Sequence, residues 1–276
     1  MNKLNTTERV QVIRALVECN SIASTVRMTG IAKTTILRLV KSMGEACQKF
    51  HDDRVRGLTT RRIQCDELWA FCQKKAAQVP VGQKGVYGIG DTWTWTAIDA
   101  DSKLMVTWLV GLRDGRWAKD FMDDVADRLT HRIQLTTDGL KAYLDAVEQA
   151  FGGASGVDYA QLIKIYGEPR QTEARYSPPI CLGTEEKHIC GAADSRHIST
   201  SYVERSNLTV RMGIRRYTRL TNAFSKKIEN HIHHTAIYFC YYNWCRIHQT
   251  LRVTPAMEAG LTTKLWEIED LVALMD

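Results

Sequence analysis

The stretch "IQCDELWAF" (residues 63–71) decides how the rest of the chain is read. Ile63, Trp69 and Phe71 suit a buried strand, yet Asp66 and Glu67 interrupt it. Successive strand side chains point to opposite faces, so Glu67 shares a face with Cys65, Trp69 and Phe71 while Asp66 lies on the other. Burying a carboxylate without a partner costs several kcal/mol. Either this strand is half exposed, or something cationic sits at one of the two acids.

Downstream, the pattern stays strand-like before it turns helical. "TWTWTAIDA" (92–100) alternates Trp93, Trp95 and Ala97 with threonines, and "KLMVTWLVGL" (103–112) follows through a turn at Asp101-Ser102. Together with the first strand these predict an antiparallel meander. Residues 115–130 form an amphipathic helix pattern through Trp117, Phe121, Val125 and Leu129. A short strand (132–139) ending at Asp138 and a helix (140–151) come next. Strands and helices in this order predict an α/β layer fold. Residues 152–200 have weak periodicity and read as an insertion or long loop, with "YAQLIKIYG" (159–167) as a fifth strand. From Thr200 the chain reads helical: one segment runs through Glu204, Asn207, Arg211 and Arg215, spaced to share a stripe, and a second spans about 224–247.

Upstream, residues 7–43 predict three short helices, the first capped by Thr6 or Thr7 and the second closed by Gly30. The second and third suggest a helix-turn-helix. Its last helix would place Lys33, Thr34, Thr35, Arg38 and Lys41 against phosphates and base edges. A basic, turn-rich link follows at "HDDRVRGLTTRR" (51–62).

Net charge is +6 over 276 residues, unevenly spread. Residues 1–64 carry +7, residues 205–252 carry +8, and the remainder carries −9. Two basic regions suggest contact with a polyanion, and an acidic middle suits metal cations. No run of 18 apolar residues is present, so no membrane span is predicted. Eight cysteines without regular spacing suggest reduced thiols and a cytoplasmic setting. Cys181, His188, Cys190 and His197 match no compact zinc finger and read as free thiols and exposed histidines. Cys240, Cys245 and His248 read as core or surface, and His231, His233 and His234 as a wet helix face.

"IQCDELWAF", "TTDGLKAY" (136–143) and "SYVERSNLTVRM" (201–212) resemble the acidic signatures of DDE transposases, most closely the insertion-sequence-one (InsB-type) family. "YYNWCRIHQTLRVTPAMEAGL" (241–261) resembles the tail that often closes bacterial DDE catalytic domains. The resemblance implies an α/β fold of RNase H-like type, a mixed sheet flanked by helices. There the first and fourth strands are neighbours and the late helix packs across them. The resemblance covers roughly residues 60–260; with the helical reading upstream, the expected division is a helix-turn-helix domain and linker at 1–58, a catalytic domain at 59–252 with its insertion at about 152–200, and a C-terminal tail at 253–276. Asp66, Asp138 and Glu204 would be the catalytic metal ligands, holding two Mg²⁺ (or Mn²⁺) ions. Asn207, Arg211 and Arg215 would contact DNA beside them. Element-end repeats and target DNA would be the partners of a homo-oligomer, at least a dimer, that is cytoplasmic and nucleoid-associated. Two departures stand out. The Asp138–Glu204 interval is 66 residues, longer than in compact relatives, and Cys19 and Cys47 cannot form the zinc module many relatives carry. A metal-dependent nuclease or resolvase, and a domesticated DNA-binding regulator, are the alternatives.

Overall fold

The first strand proves to be the centre of the sheet. The structure, a computed structural model, describes residues 4–167, 180–219 and 221–276. β1 (Arg62–Cys72) pairs antiparallel with β2 (Gly90–Asp99), which pairs antiparallel with β3 (Met105–Gly111). On its other side β1 pairs parallel with β4 (Ile133–Thr137), and β4 pairs parallel with β5 (Val157–Tyr166). β6 (Cys181–Cys190) closes the edge antiparallel to β5, giving the order β3-β2-β1-β4-β5-β6. The mixed sheet, with the first and fourth strands adjacent, has the arrangement expected of an RNase H-like fold. β6 corrects the reading of 152–200 as loop; residues 168–179 of that stretch lie outside the described residues.

Side-chain alternation sorts the two faces. Glu67 lies opposite Trp95, whose fully buried indole packs on Phe121 of α4 (Gly115–Asp127) and edge-on against Tyr143 of α5 (Ala142–Phe151). Asp66 lies opposite Thr96 on the other face, which α6 (Ser201–Gly213) and α7 (Ile228–Cys240) cover. Threonines can be buried there because each hydroxyl has a partner: Thr94 meets the Tyr217 hydroxyl at 2.7 Å and Thr96 donates to the Asp66 carbonyl at 3.0 Å.

The amino-terminal helices are α1 (Thr6–Val17), α2 (Ile22–Thr29) and α3 (Lys33–Arg54). Asn5, not a threonine, caps α1, in a reciprocal capping box with Glu8. Gly30 ends α2 in the left-handed region at φ 70°, as expected. Ala23 is exposed, and Thr25 is the buried residue of α2. α3 overruns its expected end and absorbs His51–Arg54 of the supposed link. Gly44 explains the overrun: it lets α3 cross α7, and a Cβ there would lie 2.3 Å from the His233 Cβ. At the far end of α3, buried His51 meets the Val106 carbonyl of β3 at 2.9 Å. Val10, Leu16, Val40 and Met43 thereby join Ile237 and Phe239 in one continuous core.

α7 begins at Ile228, later than predicted, and ends in a π turn at Tyr241–Cys245. His231 and His234, expected on a wet face, are buried; they meet the Ser225 hydroxyl (2.9 Å) and the Leu16 carbonyl (3.1 Å). The chain closes with α8 (Pro255–Glu258) and α9 (Ile268–Val272), the latter packed on α1. No helix among the described residues is long and apolar enough to cross a membrane.

Gly44→Ala should force α3 and α7 apart and destabilise the whole chain by roughly 1–3 kcal/mol, the cost of overpacking a closed contact. Thermal and urea unfolding measure it; an unchanged transition would mean that the crossing is not close-packed.

Candidate active site

β4 stops at Thr137, whose partner across the parallel ladder is Cys65. The next residue on each strand is an acid, so Asp138 emerges beside Asp66 by register alone. Asp138 then folds back, its Oδ1 accepting the Leu140 N–H at 2.9 Å. Gly139 gives that turn room, since a Cβ would meet Ile163 at 3.1 Å.

Glu204 arrives from α6, which is tethered to β1 twice. The buried Gln64 side-chain Oε1 accepts the N–H groups of Tyr202 (2.9 Å) and Val203 (3.1 Å), capping the start of α6 from the sheet. One turn beyond Glu204, Asn207 donates to Asp66 Oδ2 at 2.8 Å. Asp66, Asp138 and Glu204 line one cavity of about 710 Å³, with Arg113, Lys164 and Thr200.

The acids at and behind the cavity wall are unequally placed. Asp66, Glu67 and Asp138 each offer a carboxylate oxygen, all within 4.8 Å of one another, a spacing that suits a bound cation. Glu204 stands outside this close group. Its Oε1 accepts the Thr200 hydroxyl at 2.6 Å and its Oε2 takes the Lys164 ammonium. Arg113 performs the matching service at the other end: its Nε donates to Glu67 Oε2 at 3.0 Å and its Nη2 lies 3.6 Å from Asp138 Oδ2. Burial pushes the half-buried Asp66 carboxyl up to about 7, with Asp138 adding to the rise. The same two causes carry Glu67 to about 7. Crowded hard oxygens, those of Asp66 and Glu67 on carboxyls whose ionisation burial resists, form a donor set that fits a divalent cation.

The other sequence candidates are spread wider. Asn207 is buried, its amide directed at Asp66. Arg211 donates to the Tyr217 carbonyl at 3.0 Å, and burial lowers its guanidinium to about 10. Lys33, Thr34, Arg38 and Lys41 are exposed along α3, with Thr35 partly covered. Lys33 and Arg215 meet in a second cleft of about 350 Å³, which Arg216, Lys226 and Lys227 also line. Sequence reading passed over Gln64, Arg113, Lys164 and Thr200. The signal available was a glutamine inside a buried strand, which needs two polar partners.

No family model and no curated protein matches the chain. Among solved structures, the chain is similar to that of a pre-cleavage Mos1 transpososome (TM-score 0.22, 8% identity), over 58% of this chain and 60% of that one. It is also similar to that of the Mos1 strand transfer complex (TM-score 0.25, 8% identity), over 86% of this chain and 76% of that one. The chain thus matches less than two thirds of the transpososome protein's length.

Two outcomes follow from the geometry. Gln64→Ala removes both caps of α6 and should cost about 1–3 kcal/mol, the desolvation left at unpaired N–H groups; unfolding that matches the wild type would contradict the tether. The second is a pH effect. Unfolded, Asp66 titrates near ~4. Its raised folded pKa favours the fold fully below that value and loses the benefit as pH rises through about 7. Asp66→Asn should therefore raise the Tm of the metal-free protein at pH 8 by several degrees, at roughly 2–4 °C per kcal/mol, and much less at pH 5. Equal shifts at both pH values would contradict the burial of this charge.

Proposed function

We propose that the chain is a DDE-type DNA transposase that cleaves at mobile-element ends and transfers the strand into target DNA. The convergence of Asp66, Asp138 and Glu204 on one cavity, from β1, the end of β4 and α6, carries the reading. These are the acids of the three signature stretches, and they would hold Mg²⁺ or Mn²⁺, two ions per site. Bound there, the metals would supply activation of the attacking oxygen and neutralisation of the charge that develops on the leaving one.

The chain's own residues would do the positioning. Asn207 fixes the Asp66 carboxylate, and Gln64 fixes the helix that brings Glu204. Water would first attack the phosphodiester, leaving a 3′-OH; that hydroxyl would then attack a target phosphate in line. Each step forms one P–O bond and breaks another, with no covalent enzyme intermediate.

The charge distribution supports DNA as the partner. The two basic stretches of sequence meet in the second cleft, where Lys33 comes from α3 and Arg215, Arg216, Lys226 and Lys227 from the late region. Among the described residues, none of these five forms an ion pair with an acid. Arg216 donates to the Ser225 hydroxyl (3.1 Å) and to His234 (3.0 Å), whose burial holds the imidazole neutral. Uncompensated cations suit DNA phosphates. The helical segment within 1–58 would recognise element ends as a helix-turn-helix, 59–252 would catalyse, and 253–276 would form the tail. Two DNA ends must be held together, so a homo-oligomer, at least a dimer, is proposed, acting in the cytoplasm on nucleoid DNA.

Asp66→Asn should abolish Mg²⁺-dependent joining of the DNA that brackets the gene while leaving binding to that DNA within about twofold of the wild type. Joining at near the wild-type rate would overturn the reading. Cutting without joined products from the wild type would favour the nuclease alternative.

A further inference from the structure

We propose that Arg113 is a further catalytic residue, a guanidinium that grips a non-bridging oxygen of the scissile phosphate, with Glu67 and Trp93 as its anchors. The proposal rests on the phosphoryl-transfer reading above and adds to it a group outside the acidic triad. Arg113 follows β3 and precedes Asp114, the cap of α4, and its side chain reaches into the cavity of Asp66, Asp138 and Glu204.

Donor bookkeeping sets it apart from the other cations at the site. A guanidinium has five N–H donors. Among the described residues, Arg113 makes one hydrogen bond, from Nε to Glu67 Oε2 at 3.0 Å. Its Nη2 stays 3.6 Å from Asp138 Oδ2, beyond a good hydrogen bond, so the outer edge of the fork remains open to a ligand. The guanidinium carbon lies 4.7 Å from the centre of the Trp93 ring, which fixes the plane of the fork. Lys164, the other cation of the cavity, is placed on Glu204.

Glu67 then has a purpose that packing alone does not give it. Its side chain is 1% exposed while that of Arg113 is 36% exposed. Its second oxygen, Oε1, and the buried Tyr143 hydroxyl lie beside one another, with no other partner among the described residues. An ion pair with one fully buried partner is a poor device for stability, since desolvating the carboxylate offsets much of the attraction. It is a good device for holding one charged fork at a fixed angle. Fixed N–H donors aimed at an oxygen whose charge grows during reaction are worth most where water is excluded. Arg113 gives up no proton and forms no bond to phosphorus; it donates N–H groups while one P–O bond forms and another breaks.

Nicking of supercoiled plasmid DNA in Mn²⁺ tests this, alongside Mn²⁺ affinity measured by electron paramagnetic resonance without DNA. Arg113→Ala should lower kcat by roughly 10²–10³-fold, the usual loss for one such donor, with Mn²⁺ affinity within twofold of the wild type. Arg113→Lys should recover part of the rate, and Glu67→Gln should lose at least about tenfold in kcat with KM little changed, because the fork is then loosely held. Should Arg113→Ala fail to fold, Arg113→Lys carries the test through its own loss of about tenfold or more, expected because an ammonium lacks the fork. Parity of the folded arginine variants with the wild type overturns the proposal, as does a rate loss matched by an equal loss of Mn²⁺ affinity. A wild-type chain that cuts no DNA overturns the transposase reading and this proposal with it; a wild type that cuts, with variants equal to it, overturns this proposal alone.

Discussion

Cys65 pairs with Thr137 across the parallel β1–β4 ladder, and β4 ends at that pair. Everything distinctive about the site depends on this register. Shifting it by one residue would turn Asp138 away from Asp66 and move the apolar set of β1 to the wrong face. The register is held from both sides. Ile63 and Leu135 are opposed and buried in the core, and Glu67 is locked opposite Trp95 on the antiparallel flank. The apolar residues around "CDE" are therefore the reason the acids have a defined position.

The cost of that position is visible in the electrostatics. Acids crowd one end of the sheet, and burial together with the neighbouring Asp138 charge resists the ionisation of Asp66 and Glu67. Two cations relieve the crowding from opposite sides, Arg113 at Glu67 and Asp138, and Lys164 at Glu204. The remaining relief is local: Asn207 donates to Asp66 and Thr200 to Glu204. A divalent cation would supply more charge in less volume than either side chain, which is why the same donor set fits one.

Much of this was legible in the sequence because it follows short-range rules. The meander, the strand ending at Asp138 and the helix carrying Glu204 each have a local period and a boundary residue. β6 has neither: "CLGTEEKHIC" is mostly exposed on both faces, so no alternation marks it, and only pairing with β5 makes it a strand. Gly44 misled in the opposite way. It resembles a helix terminator in sequence, but its lack of a side chain serves the crossing with α7, and α3 continues for another ten residues to Arg54. His231 and His234 looked wet because a run of histidines is polar; His231 is buried on the Ser225 hydroxyl, and His234 lies between the Arg216 guanidinium and the Leu16 carbonyl, 218 residues earlier, which sequence cannot place. Arg113 was overlooked because "RDG" reads locally as a turn and a helix cap. Its meaning comes from Glu67, 46 residues earlier.

The central claim is that Asp66, Asp138 and Glu204 act together on bound metal. Anomalous diffraction from crystals soaked in Mn²⁺ measures this most directly. The account predicts manganese ligated by Asp66 and Asp138, with Glu204 turned from Lys164 toward the metal. Crystals that take up manganese only elsewhere, or that leave Glu204 paired with Lys164 beside a fully occupied metal, would contradict it.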